Sequence, residues 1–221
     1  MTSTSEPERA PSERDMRSRS FGQDYTPTAV DRFGVWLSAR RMRSASGGFD
    51  GKRVADVGCG YHAVFARTLL PRVRSLVLID IALAPDLKAQ NKVEAIEGRL
   101  PGVLEAVPSA SLDVVMCNSV LEHLWTPGEA IAELHRITVP DGVVLINVPS
   151  WRGKWCLELA AFRLGVSPAD EMNDHKTYYD PRDLWPLLRR AGFRPDHIRC
   201  FRHKFGLNTF AVCRKEAIRE P

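Results

Sequence analysis

The sequence predicts an α/β fold in which a parallel sheet is covered by helices on both faces. Three observations carry this. From Lys52 to Pro149 short apolar runs alternate with stretches of helical periodicity, the mark of repeated strand–helix units. The runs are nearly continuous in Val, Leu and Ile, as strands buried on both faces must be. Of 221 residues, 44% are apolar and 26% charged, which suits one sizeable core beneath a solvated surface.

The elements follow in order. Residues 1–24 hold Ser, Glu, Arg and Pro with almost no large apolar side chains, and are expected to form a disordered tail. Residues 25–215 are expected to form a single domain. Its first helix opens at Thr28-Ala-Val-Asp31, an N-cap with an acid three residues on, and continues through Val30, Phe33, Trp36 and Leu37. Residues 44–51 are a turn-rich link. Strands are expected over 53–57, 75–79, 93–96, 112–117 and 142–148, with helices over 63–70, 84–90, 102–106 and 127–137 between them. After Pro149 the alternation stops. Trp151, Trp155, Leu159 and Phe162 give residues 151–164 the spacing of an amphipathic helix. Asp180-Pro-Arg-Asp183 opens another, which runs over 184–191 and closes at Gly192. Two last strands, 195–201 and 209–213, are joined by a short link and are expected to pair antiparallel at the sheet edge.

Composition narrows the function. Thirty-one Lys and Arg against 27 Asp and Glu give +4, a charge too mild to announce nucleic acid or a membrane surface. No apolar run approaches the length of a spanning helix, and the first twenty residues lack the apolar stretch of a signal peptide. The five cysteines are odd in number, widely spaced and without a C-x-x-C pair. They argue for a reducing, cytoplasmic compartment and against a zinc site. No metal is expected.

The most informative stretch is Val54-Ala-Asp-Val-Gly-Cys-Gly60. It places an apolar strand, an acid and two glycines at the entrance to a helix. In a doubly wound sheet that turn lies at the carboxyl end of a strand, where ligands bind. Glycines there admit a ligand to the backbone. Asp56 would repel a pyrophosphate but suits an ammonium. Twenty-four residues on, Asp80 ends the second strand, the position from which an acid accepts ribose hydroxyls. A ribose and a free amino group in one ligand indicate S-adenosylmethionine. Gly-Cys-Gly-Tyr-His-Ala63 also satisfies a dinucleotide pattern, so a nicotinamide or flavin enzyme is the rival reading.

Residues 52–150 resemble a class I S-adenosylmethionine-dependent methyltransferase of the small-molecule type. The matching pieces are the glycine turn, Asp80, and Leu112-Asp-Val-Val-Met-Cys-Asn-Ser-Val-Leu-Glu-His-Leu124, followed by Val139-Pro-Asp-Gly-Val-Val-Leu-Ile-Asn-Val-Pro149. Beyond them, Tyr179-Asp-Pro-Arg-Asp-Leu184 and Leu187-Leu-Arg-Arg-Ala-Gly-Phe193 resemble the family's later helix and turn. The resemblance implies a Rossmann-like, doubly wound sheet of seven mostly parallel strands with an antiparallel edge. It implies S-adenosyl-L-methionine as cofactor, bound by Asp56, Gly58, Cys59, Gly60, Asp80 and Asn118. It also implies a small-molecule methyl acceptor. Two departures stand out. His62 replaces a glycine common in the family, and Arg99 falls near where an acid usually meets the adenine, so that Glu97 or a backbone group would substitute.

His123 and His175 are the candidate catalytic residues, as groups that position the acceptor or take its proton. For His123 a satisfied structural histidine, and for His175 a solvated loop residue, are the competing readings. Within the domain, residues 52–150 form the cofactor-binding core and 151–180 an inserted segment that either covers the acceptor as a lid or packs on the sheet. A non-catalytic binding protein of the same fold is the remaining alternative.

Overall fold

The computed structural model describes residues 19–23, 29–155 and 175–217. A long first helix, α1 (Ala29–Ala45), leads into β1 (Arg53–Val57), α2 (Val64–Arg67), β2 (Ser75–Asp80), α3 (Pro85–Lys88) and β3 (Val93–Glu97). A 3-10 turn at Gly102–Ala106 precedes β4 (Leu112–Asn118), and a second at Leu121–His123 precedes α4 (Pro127–Ile137). The chain then forms β5 (Thr138–Pro149), a helical stretch at 151–155, α5 (Pro181–Arg190), β6 (Ile198–His203) and β7 (Asn208–Arg214).

The seven strands lie in the order β3-β2-β1-β4-β5-β7-β6. The first five pair in parallel; β7 runs antiparallel to both β5 and β6. The fold is therefore the expected mostly parallel α/β sheet with an antiparallel edge. The order reverses between β1 and β4, which opens a crevice at the carboxyl ends of those strands.

Alternate residues of each strand face opposite layers. Val57, Val115, Cys117 and Ile146 join Ile131 and Leu134 of α4 and Leu184 and Leu188 of α5 on one side. Val54, Leu78, Met116 and Leu145 join Met42 of α1, Ala66 and Leu87 on the other. With both faces covered, the central strands β1, β2, β4 and β5 are buried along most of their length, and that is why they read as apolar runs; the outer strands β3 and β6 keep polar residues between apolar ones.

Several elements depart from expectation. α2 is a single turn rather than 63–70, because Ala63 takes a left-handed φ of 43° and Pro71 follows closely. Residues 102–106 wind as a 3-10 turn. β5 starts at Thr138, four residues before Gly142, with a register irregularity opposite Leu112 and Val114. α5 opens as expected with a capping box, Asp180 and Asp183 each capping the other's backbone. It ends against Gly192 at φ 107°.

The tail expectation needs correction at residues 19–23. They are seated on the carboxyl edge of the sheet, with Ser20 and Gly22 buried and the Phe21 carbonyl accepting from Tyr61 N at 2.9 Å. Main-chain and side-chain hydrogen bonds hold this segment, which an apolar count does not register. The rest of residues 1–24, and the inserted segment over 156–174, lie outside the described residues. The described start of that segment is docked by backbone, since a Cβ at Gly153 would lie 2.1 Å from the Leu207 carbonyl oxygen. Its tryptophans face outward, Trp155 being 73% exposed, so they are not the core stripe their spacing suggested. Among the described residues no helix is long and apolar enough to cross a membrane.

Candidate functional site

The glycine turn is built by the close packing of β1, β2 and the loop after β4. Gly58 N donates to the Ile79 carbonyl at 2.7 Å. Its φ is +71°, and a Cβ there would stand 2.1 Å from Val120 Cγ2. Only glycine fits, for backbone and for space. Gly60 is also left-handed, at φ +75°, and a Cβ on it would point at the Phe21 carbonyl oxygen 3.1 Å away. The residue is therefore glycine because residues 20–21 pass over it.

Asp80 ends β2 facing that turn. Its Oδ2 accepts from Gly60 N at 2.7 Å and its Oδ1 from Ile81 N at 2.8 Å. The remaining partner of Oδ1 is an alcohol: Ser20 Oγ donates to it at 2.5 Å. The same hydroxyl accepts from Ala82 N at 2.7 Å. Asp80, Gly58, Phe21, Ser119, Val120 and His123 line a cavity of about 290 Å³ at the strand ends. Gly98 and Arg99 form part of its wall. The Glu97 carboxylate accepts from Leu83 N and Lys88 Nζ, both at 2.7 Å.

The other expected cofactor residues are set deeper. Asp56 is buried beneath the turn, where desolvation and the charge of Asp80 push its carboxyl up to about 7. Cys59 is half-buried, its thiol raised well above the usual range by burial and then by Asp56 and Asp80. That suits a packed side chain rather than a nucleophile. Asn118 ends β4, but its Oδ1 accepts from Asn147 Nδ2 at 2.9 Å across to β5. Ser119, next in sequence, takes the cavity wall instead, with φ +57°.

His123 and His175 lie 52 positions apart, yet their rings meet with centroids 4.8 Å apart. Main-chain bonds bring them together: Lys176 N donates to the Glu122 carbonyl at 2.6 Å, and Tyr179 N to that of Pro149 at 3.0 Å. His175 Nδ1 shares a hydrogen bond with Tyr178 Oη at 3.0 Å. Tyr178 in turn stacks at a tilt on Trp151, 5.6 Å between centroids. Glu122, which the sequence offers as a helix-start acid, is instead 1% exposed and turned into this corner. Burial lowers the Lys204 ammonium to about 8, a fall that the charge of Glu122 partly opposes. Two residues that sequence reasoning passed over, Ser20 and Phe21, and one it read only as a helix-start acid, Glu122, thus belong to the site. Only Glu122 carried a signal, its place beside His123.

Comparison with known proteins agrees with this architecture. A family model described as a methyltransferase domain matches residues 31–198. A ubiquinone biosynthesis O-methyltransferase of Neisseria meningitidis is 30% identical over 175 residues, 74% of this chain and 72% of its own length. A Mycolicibacterium smegmatis protein, named a probable S-adenosylmethionine-dependent methyltransferase, is 28% identical over 162 residues, 71% of this chain and 58% of its own. Among solved structures, a SAM-dependent methyltransferase from Archaeoglobus fulgidus shares the fold with a TM-score of 0.61 at 17% identity, over 83% of this chain and 94% of that one. The chain belongs to the class I methyltransferases, whose methyl donor is S-adenosyl-L-methionine.

Proposed function

We propose that the cavity at the ends of β1, β2 and β4 holds the donor, with Asp80 accepting its ribose hydroxyls and the Gly58–Gly60 turn admitting its methionine arm. The observation that carries this reading is the Ser20–Asp80 contact. A carboxylate at the cavity mouth already binds an alcohol, the chemistry a ribose would offer. Asp56 supports it from below, as a carboxylate whose charge an approaching ammonium would stabilise. The donor supplies an electrophilic methyl carbon on a sulfonium.

The chain's own task is to orient a small-molecule acceptor, exclude water and manage one proton. Alignment alone is worth about 7–11 kcal/mol of barrier. A base contributes about 10²–10⁴-fold. In the proposed step the acceptor oxygen forms a bond to the methyl carbon as the carbon–sulfur bond breaks and sulfur leaves as a neutral thioether. The acceptor proton passes to the histidine pair or to water. An oxygen acceptor is favoured because relatives of this chain are named O-methyltransferases. His123 lines the cavity and His175 backs it, so these two face the acceptor in this proposal. The free thiols of Cys59, Cys117, Cys200 and Cys213 favour a cytoplasmic home.

The test is S-adenosylhomocysteine binding to the wild type and Asp80→Ala. Loss of a charged acceptor is expected to cost about 1.5–3 kcal/mol of affinity. Equal affinity in a folded variant, or a nicotinamide released from the purified protein, would overturn the assignment.

A further inference from the structure

All seven lysines of the chain lie among the described residues, and six of them have a partner for the ammonium. Lys52, Lys92 and Lys215 donate to main-chain carbonyls, and Lys88 to the Glu97 carboxylate. Lys154 and Lys176 stand over aromatic rings, 5.9 Å from Trp151 and 5.2 Å from Trp125. Lys204 is the exception. It is half-buried, yet among the described residues its ammonium meets no hydrogen-bond acceptor and no carboxylate within ion-pair distance. We propose that Lys204 binds a carboxylate on the methyl acceptor, so that the acceptor is a hydroxy acid rather than a neutral alcohol or phenol.

The turn between β6 and β7 sets the position of this side chain. Lys204 and Phe205 both take left-handed backbone, φ 48° and 58°, and Gly206 follows at 86°. Side chains rarely accept that conformation, and two in succession persist only where the surroundings hold them. Ser150 does so here. Its N donates to the Leu207 carbonyl at 2.9 Å and its Oγ to that of Gly206 at 2.7 Å. Lys204 Nζ reaches α1, 3.7 Å from where a Cβ on Gly34 would stand. The charge that acts on it is that of Glu122, which shares a corner with His123 and His175. Lys204 thus meets α1 and lies within electrostatic reach of that corner, without lining the donor cavity.

An ammonium largely withdrawn from water and given no acceptor is costly, and its lowered proton affinity records that cost. A ligand carboxylate would supply the missing acceptor through a charge-assisted hydrogen bond. The inference rests on the proposed placement of the acceptor at His123 and His175. An acceptor held at its acidic end by Lys204 would present its hydroxyl to the histidines, whereas a neutral analogue would leave the ammonium unmet. The fold itself should not need this charge, because no described residue pairs with it.

The experiment takes the full chain saturated with S-adenosylhomocysteine and two probes of one shape, benzoate and the neutral benzamide, titrated by calorimetry. Benzoate is expected to bind as one equivalent, and benzamide about 10–100-fold more weakly, the worth of a hydrogen bond to a charged group. Lys204→Met should lower benzoate to the benzamide level. The same variant should keep S-adenosylhomocysteine affinity within a few-fold and melt at or above the wild-type temperature. A second readout needs no variant: benzoate, and not benzamide, should slow carbamoylation of the Lys204 amine by cyanate, followed on its peptide by mass spectrometry. Failure of benzoate to bind the wild type, equal affinity for the two probes, or benzoate binding that survives Lys204→Met overturns the assignment. A marked loss of stability in Lys204→Met overturns it too, by making the lysine a tie within the fold. The donor assignment is judged apart, on S-adenosylhomocysteine binding by the wild type alone.

Discussion

The Ser20 hydroxyl meets the Asp80 carboxylate across 60 positions of sequence, Oγ to Oδ1 at 2.5 Å. Both oxygens of Asp80 also hold main-chain N–H groups, from Ile81 and Gly60. A two-hydroxyl ligand therefore competes with Ser20 for the remaining acceptor positions. Ser20→Ala is expected to tighten S-adenosylhomocysteine by about 2–10-fold, the net worth of about 0.5–1.5 kcal/mol for one hydrogen bond. Calorimetry on the two proteins reads this directly; weaker binding in the variant would make residues 19–23 a wall of the site rather than a competitor for it.

The two glycines of the turn separate under substitution. Gly58→Ala places a methyl 2.1 Å from Val120 Cγ2 at a φ of +71° and should cost about 1–3 kcal/mol of stability. Gly60→Ala meets only the Phe21 carbonyl at 3.1 Å and should be milder. Denaturant midpoints rank them, and the order Gly60 worse than Gly58 would contradict the packing described.

Asp56 makes stability depend on pH. Its carboxyl is raised to about 7 in the folded chain by burial and by Asp80, against 3.8 for the ordinary group. The native state keeps this proton between those values while the unfolded chain releases it, so the contribution to stability is whole below about pH 4 and lost as pH climbs to 7. Asp56→Asn should therefore be stabilised relative to the wild type by about 2–4 kcal/mol at pH 8, with the gap closing toward pH 4. Melting curves at the two pH values suffice; a constant gap would remove Asp56 as its source.

Trp155 is 73% exposed. Trp155→Ala should change stability by less than about 0.5 kcal/mol, as for a surface side chain, where a core tryptophan would cost about 3–5. A large drop in melting temperature would mean that this residue packs against another part of the chain.

Much of this molecule was legible because its sheet is covered twice. Runs such as Leu76–Ile79 and Val143–Val148 have no solvent face, so their composition alone marks them as strands. Asp80 was legible for a related reason: a charged residue ending an apolar run has to leave the core. What escaped detection depends on contacts between distant positions. Ser20 earns its place through two hydrogen bonds that polar composition hides. His123 and His175 look like unrelated histidines until the Lys176 amide finds the Glu122 carbonyl. Asn118, expected just past a strand over 112–117, is the last residue of β4, and its side chain turns to Asn147, a partner the β4–β5 register supplies and no local pattern announces.

The strand order has a consequence for biosynthesis. β7 is made after β6 yet lies between it and β5, so the Val143–Pro149 edge gains its neighbour only when Asn208–Arg214 has emerged. Until then a nascent chain displays an unpaired, largely apolar strand edge, a template for joining other chains. A ribosome stalled before residue 208 would therefore release a product whose hazard is aggregation, although its five parallel strands are already complete.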